Sequence, residues 1–245
     1  MTSFSGYTGV TLPLRNVLFS DFVSDTTPFG VARSNLNAQN FAGSSISNGS
    51  TDGLGILTLT VGSGAASGVQ YARCGAYLAE SAVGGAIDRL WRIDRSECYV
   101  ESRVKTDCSN ANTVVTVGFG LGHATAGLVV ADYLVGFYAF GNEANWTAAV
   151  VSASSVVVSK TLSIPKKDFA VLSVQVGSDG RSVFWEADGV EVFRTILSSP
   201  FFVDGNTALP QVEIRDKTAG GSAGGAQNVF VDYMLLADKP ITPRF

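Results

Sequence analysis

An all-β fold, built as two antiparallel sheets packed face to face, is the class this sequence predicts, and three observations predict it. Apolar and polar residues alternate with a period of two along most of the chain from about residue 55 onward. The alternating segments are rich in Val, Thr, Phe and Tyr and end at Gly, Asn, Asp or Pro. No segment carries a convincing amphipathic helical stripe. Period two marks a half-buried strand, because successive side chains point to opposite faces. Many such strands must stack as two layers, since an open apolar sheet would aggregate.

Taken in order, "GILTLTV" alternates Ile56, Thr58 and Thr60 with Leu57, Leu59 and Val61. "VQYARCGAYL" continues as strand. "YLAESAVGGAIDRLWR" has room for a short helix only, because Gly84 and Gly85 would each cost it about 1 kcal/mol. "CYVESRVKTD" puts Cys98, Val100, Ser102 and Val104 on one face and Tyr99, Glu101, Arg103 and Lys105 on the other. "NTVVTVGFGLG", "ADYLVGFYAF", "TAAVVSASSVVVS", "FAVLSVQVGS", "RSVFWEA", "VEVFRTIL", "PQVEIRDK" and "NVFVDYMLLA" follow, each read as a strand. The total expected is about ten to twelve strands. "TAGGSAGGAQN", from Thr218 to Asn228, reads as a Gly-rich loop joining the last two. No repeat at a fixed period is present, which counts against a solenoid or a propeller.

A length of 245 residues suits one large all-β domain, and 46% hydrophobic residues suffice for a sizeable core. Charged residues make up only 16%, against about 25% in average soluble proteins. A surface this poor in charge is expected either to be covered in part by partners or by further copies of the chain, or to owe its low charge to Gly-rich loops. The net charge of −4, with no basic run, excludes nucleic-acid binding and an anionic membrane surface as expected partners. No apolar run approaches about 18 residues, so no membrane insertion is expected. "MTSFSGYTGVTLPLRN" lacks the pattern of a signal peptide, so the sequons at Asn48 and Asn145 are expected to be chance matches. Cys74, Cys98 and Cys108 are odd in number and show no C-x-x-C spacing. Cys98 sits in an alternating run and reads as a small core residue. A Cys98–Cys108 bridge fits the count, with nothing further behind it.

The order of features resembles a known family. "LFSDFVSDTTPFG" followed by "DGLGILTLTVGSGAASG" looks like the opening of a concanavalin A-like, laminin-G-like sandwich module. "YVESRVKT", "TVGFGLG", "YLVGFYAF…NWTAAV", "FAVLSVQVGSDGRSVFWEADGVEVFRT", "LPQVEIRDK" and "VFVDYMLL" continue the match over residues 19 to 238. Such modules occur in bacteriophage virion proteins and in bacterial surface proteins. The resemblance implies a jelly-roll sandwich at 19–238, with residues 1–18 as an N-terminal arm and 239–245 as a C-terminal tail. It also implies a non-enzymatic virion structural protein: a capsid decoration, a fibre or a tail-associated module. Its partners would be other virion proteins, further copies of itself or a host-surface glycan. The alternative is a carbohydrate-binding module or a β-glucan hydrolase.

One stretch bears on that choice. Glu186-Ala187-Asp188-Gly189-Val190-Glu191 fits the E-x-D-x-x-E pattern of laminarinase-type β-glucanases. Asp188-Gly189 between two alternating runs, however, predicts a two-residue hairpin, because a type I′ turn needs positive φ at both positions. Ala187 then pairs with Val190, Glu186 with Glu191, Trp185 with Val192, and Phe184 with Phe193. Glu186 and Glu191 would have Cβ atoms about 5 Å apart, near the carboxyl spacing of a retaining glycosidase. Asp188 would be a turn residue, the three acids would not share a strand, and the chain is read as no enzyme. His123 is the single histidine, and no G-x-S-x-G elbow accompanies it. "VGSGAASG" is followed by strand, which a dinucleotide-binding loop does not allow. Asp132, Asn142, Glu143 and Asn145 offer oxygens for calcium but no spaced loop, so no metal and no cofactor is expected. Glycan binding has better material in "YLVGFYAFGNEANWTAAV". Tyr133 and Phe137 share a face with Val135 and belong to the core. The candidate ligand-binding residues are Trp146, Asn142, Asn145 and Tyr138, with a core position as the other reading of Trp146.

Overall fold

The structure is a computed structural model that describes residues 16–20, 37–41, 44–49, 55–62, 70–75, 98–121, 133–153, 155–200, 209–216 and 225–238. These contain fifteen strands. They are β1 (Asn16–Ser20), β2 (Asn37–Phe41), β3 (Ser45–Gly49), β4 (Ile56–Val61), β5 (Gln70–Gly75), β6 (Cys98–Thr106), β7 (Thr113–Leu121) and β8 (Tyr133–Phe140). The chain continues with β9 (Asn145–Ser152), β10 (Ser155–Pro165), β11 (Ala170–Val176), β12 (Ser182–Ala187), β13 (Val190–Ile196), β14 (Leu209–Asp216) and β15 (Gln227–Asp238). Every pairing is antiparallel. An eight-stranded sheet runs β13-β12-β11-β6-β15-β4-β3, with β1 also paired to β15. A seven-stranded sheet runs β10-β9-β8-β7-β14-β5-β2. The two-sheet all-β architecture is the one expected from the alternation.

The core lies between the sheets, and the period-two pattern decides which residues enter it. The eight-stranded sheet contributes Leu57, Leu59, Val100, Val104, Leu172, Val174, Trp185, Val229 and Leu236, among others. The seven-stranded sheet contributes Cys74, Val115, Val117, Phe119, Val135, Phe137, Trp146, Ala148, Val212 and Ile214. Each large side chain buried this way is worth about 1.5–3 kcal/mol against exposure. A polar bond crosses this core between the layers. The Trp185 indole Nε1 donates to the Gly136 carbonyl at 2.8 Å, and the ring stacks on Phe193 with centroids 5.0 Å apart. At the side where β10 and β13 form the sheet edges, Lys160 Nζ donates to Val192 O at 2.8 Å.

Several expectations need correction. "TAAVVSASSVVVS" is two strands, β9 and β10, because the chain reverses around Ala153 at φ 47°. Short Ser and Ala side chains allow that reversal where bulkier residues would resist it. The strand count exceeds ten to twelve because β1, β2 and β3 lie ahead of the alternating region. Residues 16 to 18, expected in the N-terminal arm, belong to β1 and pair with Asp238, Ala237 and Leu236. The hairpin turn is as expected, with Asp188 at φ 50° and Gly189 at φ 76°. Its register departs one step on: Glu186 faces Glu191, but Trp185 faces Phe193 and Phe184 faces Arg194. Val192 is the extra residue of a bulge, which brings the Phe193 ring under Trp185. The short helix considered at 77–92, the "VGSGAASG" loop beyond Gly62, His123 and Asp132 lie outside the described residues.

All three cysteines are unbridged and buried, so the Cys98–Cys108 pairing is not formed. Burial pushes the Cys108 thiol up to about 11 and the Cys74 thiol to about 12; Cys98 is raised further by the same cause. The folded protein should therefore show no thiol reacting with a disulfide reagent at pH 8, and all three after unfolding; one fast native thiol would contradict this burial. Trp185→Phe leaves the Gly136 carbonyl without its indole donor and should lower the unfolding free energy by about 2 kcal/mol. Chemical denaturation checks this, with an unchanged midpoint as the contrary result.

Candidate functional site

Each sheet has a second face turned away from the core, and the registers set their side chains in rows. On the eight-stranded sheet Glu191, Glu186, Ser173 and Glu101 lie in one row across β13, β12, β11 and β6. Two of these are the acids of the glucanase-like pattern. The third, Asp188, sits in the turn, where Oδ1 accepts from Val171 N at 2.9 Å. It is a hairpin clasp, and the three acids do not share a strand. Glu186 is half-buried, and burial first, then the charges of Glu101 and Glu191, hold its carboxyl above the usual carboxylate range. Ser173 Oγ donates to it at 3.4 Å. Glu101 is buried with both oxygens occupied: Tyr99 OH donates to Oε2 and Tyr233 OH donates to Oε1 at 2.8 Å. This row is a polar network whose main acceptors are already satisfied.

The outer face of the seven-stranded sheet is different. Arg73, Glu213, Thr116, Tyr138, Thr147 and Thr161 stand directly opposite one another across β5, β14, β7, β8, β9 and β10. Five inter-strand steps of about 4.8 Å make this ladder about 24 Å long. Its β10 end is open: Thr161 is exposed and Tyr138 half-buried. Its other end is closed, with Thr116 and Glu213 each 2% exposed. Thr147 Oγ1 donates to Thr161 Oγ1 at 3.3 Å, and Tyr138 hydrogen-bonds with Thr147. Burial and then the Glu143 charge raise the Tyr138 hydroxyl above the usual phenol range. Beside the ladder runs a row of small residues, Gly75, Gly118, Gly136 and Ala149, interrupted by Gln211.

Gly118 and Gly136 face each other, and no other residue fits there. A Cβ on Gly118 would meet Val135 O at 2.5 Å, and one on Gly136 would meet Val117 O at 2.1 Å. Gly118 also holds φ +137°, which side chains disfavour. The glycine pair therefore fixes how closely β7 and β8 approach, and with it the register that aligns Thr116 with Tyr138.

The β8–β9 turn is held from two sides. Glu143 Oε2 accepts from Phe140 N at 2.9 Å. The buried Lys166 Nζ donates to Phe140 O and Gly141 O, both at 2.6 Å. Its ammonium pKa is lowered by burial. This places the sequence-derived glycan candidates. Tyr138 is on the ladder, and its ring meets Phe140 edge-on with centroids 5.6 Å apart. Asn145, part-exposed, opens β9 on the same outer face, and Asn142 is exposed in the turn. Trp146 is corrected: it faces inward, is 0% exposed and belongs to the core, so its ring presents no face to a sugar. The alternation makes Asn145 and Trp146 point opposite ways. Sequence reasoning missed Arg73, Glu213, Thr116, Thr147 and Thr161, because each looks like the ordinary polar side of its own strand. Only the pairing order brings them together. Among the described residues no cluster of three or more His, Cys, Asp or Glu is placed to hold a metal ion.

No family model matches the chain, and no curated protein matches its sequence. Solved structures do. A protein of unknown function from Shewanella oneidensis MR-1 superposes with a TM-score of 0.62 at 16% identity, over 94% of this chain and 89% of that one. A β-1,3-glucanase from Mycobacterium marinum gives 0.55 at 13% identity, over 93% and 100%. A glycosyl hydrolase family protein from Mycobacterium fortuitum gives 0.52 at 14% identity, over 92% and 100%. At these identities the likeness is one of fold: this chain is a concanavalin-like β-sandwich of the kind seen in glycoside hydrolase-like proteins.

Proposed function

We propose that this protein binds a carbohydrate at the open β8–β10 end of the outer face of its seven-stranded sheet. The observation that carries the reading is the open end of the cross-strand ladder, Thr161–Thr147–Tyr138, with Asn145 on the same face. A sheet face turned to solvent usually scatters its polar groups. Here hydroxyls and a phenol stand in register at the β10 end, where Thr161 is exposed and Tyr138 half-buried, while Thr116, Glu213 and Arg73 beyond them are buried. Hydroxyl-bearing ligands are recognised by such convergent donors and acceptors with an aromatic ring at the entrance. Two fold neighbours, a β-1,3-glucanase and a glycosyl hydrolase family protein, support a carbohydrate ligand. They favour this alternative over the virion role expected from the sequence resemblance, which has no phage or virion protein behind it in these comparisons.

Binding without hydrolysis is the reading taken here. Glycoside hydrolysis ordinarily uses two carboxyl groups flanking the bond. Glu213 is the one carboxylate at the outward positions of the described strands on this face. The paired acids Glu186 and Glu191 belong to the other sheet.

A panel of soluble neutral oligosaccharides, screened by calorimetry, should contain a binder, and Tyr138→Ala should weaken it about tenfold. Glu186→Gln should bind as the parent does. Failure of every glycan to bind would end the proposal. The same incubations should release no reducing sugar; release that Glu186→Gln abolishes would make the chain a hydrolase instead.

A further inference from the structure

Among the described residues, the large apolar side chains left in solvent are Val156, Val157, Val190 and Ile196, between 42% and 72% exposed. Two stand on β10 and two on β13. These are end strands of the two sheets, and they share one side of the sandwich, where Lys160 bonds to Val192. An edge strand with exposed apolar side chains invites pairing with another chain. β10 is blunted against this: its register shifts twice, and Lys160 carries its ammonium across to Val192 O and the Phe193 ring. β13 instead carries opposite charges on either side of its middle. Glu191 and Arg194 are 47% and 73% exposed, and Arg194 Nε lies 3.6 Å from Glu191 Oε1. An ion pair this exposed contributes little by itself and is free to exchange partners. Glu191 stands opposite Glu186 and Arg194 opposite Phe184. Both therefore point to the outer face of the hairpin, away from the core side that holds Trp185.

We propose that this side of the sandwich is an interface between two copies of the chain, with β13 antiparallel to β13 of the second copy about a two-fold axis. The charge pattern chooses the occupant. An axis passing between Val192 and Phe193 sets Glu191 against Arg194 of the second copy and, by symmetry, Arg194 against its Glu191. One strand thus supplies both halves of both ion pairs. The area fits as well. Eleven residues of β10 make this side about 36 Å long. The gap of about 10 Å between the sheets, with about 5 Å of side chains on either outer face, makes it about 20 Å across. That is about 700 Å² per copy, close to the roughly 800 Å² of a standard stable interface. Val156, Val157, Val190 and Ile196 are the apolar groups it takes out of water. A two-fold contact closes at two copies, and the irregular β10 edge does not template a longer sheet.

Sedimentation equilibrium of the full chain tests this. At about 50 μM the parent should have twice the mass of one chain. Glu191→Arg and Arg194→Glu each set like charges against each other in both pairs, and each should raise the dissociation constant at least about tenfold. Mixed in equal amounts, the two variants should form the dimer again, because each supplies the charge that the other lacks. Ile196→Asp should also shift the protein toward monomer. All three positions are exposed, so the substitutions leave the core untouched. A monomeric parent, an assembly that grows beyond two copies, variants that dimerise like the parent, or a mixture that stays monomeric would each overturn the interface. The masses are read without a glycan, so this interface and the glycan site stand or fall separately.

Discussion

The bond from the Trp185 indole to the Gly136 carbonyl is the interaction on which the rest of this molecule turns. It is a polar tie across the apolar core between the two sheets, and it ends on a residue that cannot be anything but glycine. Gly136 and Gly118 bring β7 and β8 so close that a methyl group on either would overlap the opposite backbone. The position of the sheets and the register of the seven-stranded sheet are thus set at one place. From that place the side chains that face outward follow by strict alternation.

The two outer faces show how one periodicity serves two ends. On the eight-stranded sheet Glu101 is gripped by two tyrosine hydroxyls, and Asp188 closes the hairpin on the β11 backbone. Glu186, Asp188 and Glu191, which follow one another in a glucanase-like pattern along the chain, are divided between β12, its turn and β13. On the seven-stranded sheet the ladder is satisfied at its open end, where Thr147 and Thr161 bond to each other. It is unsatisfied at its closed end, at Glu213 and Thr116.

Much of this was legible in the sequence. The alternation in "CYVESRVKTD" placed Cys98, Val100 and Val104 in the core, and Asp188-Gly189 announced its own turn. Local rules sufficed because each depends on residues adjacent in the chain. The bulge at Val192 and the reversal at Ala153 escaped because neither carries a glycine or a proline to mark it. Trp146 was ambiguous for a different reason. Period two says that Asn145 and Trp146 face opposite ways, but not which of them faces the core. The ladder was invisible because its members come from six strands, with β14 inserted between β7 and β5. No local pattern encodes that order.

The central proposal is that a glycan lies over the open end of the ladder, at β8, β9 and β10. Hydrogen–deuterium exchange, with and without a saturating neutral hexasaccharide, tests it most directly. The account predicts new protection in peptides covering Tyr133–Phe140, Asn145–Ser152 and Ser155–Pro165, with the β12–β13 hairpin unchanged. Protection confined to that hairpin, at Glu186 and Glu191, would contradict it.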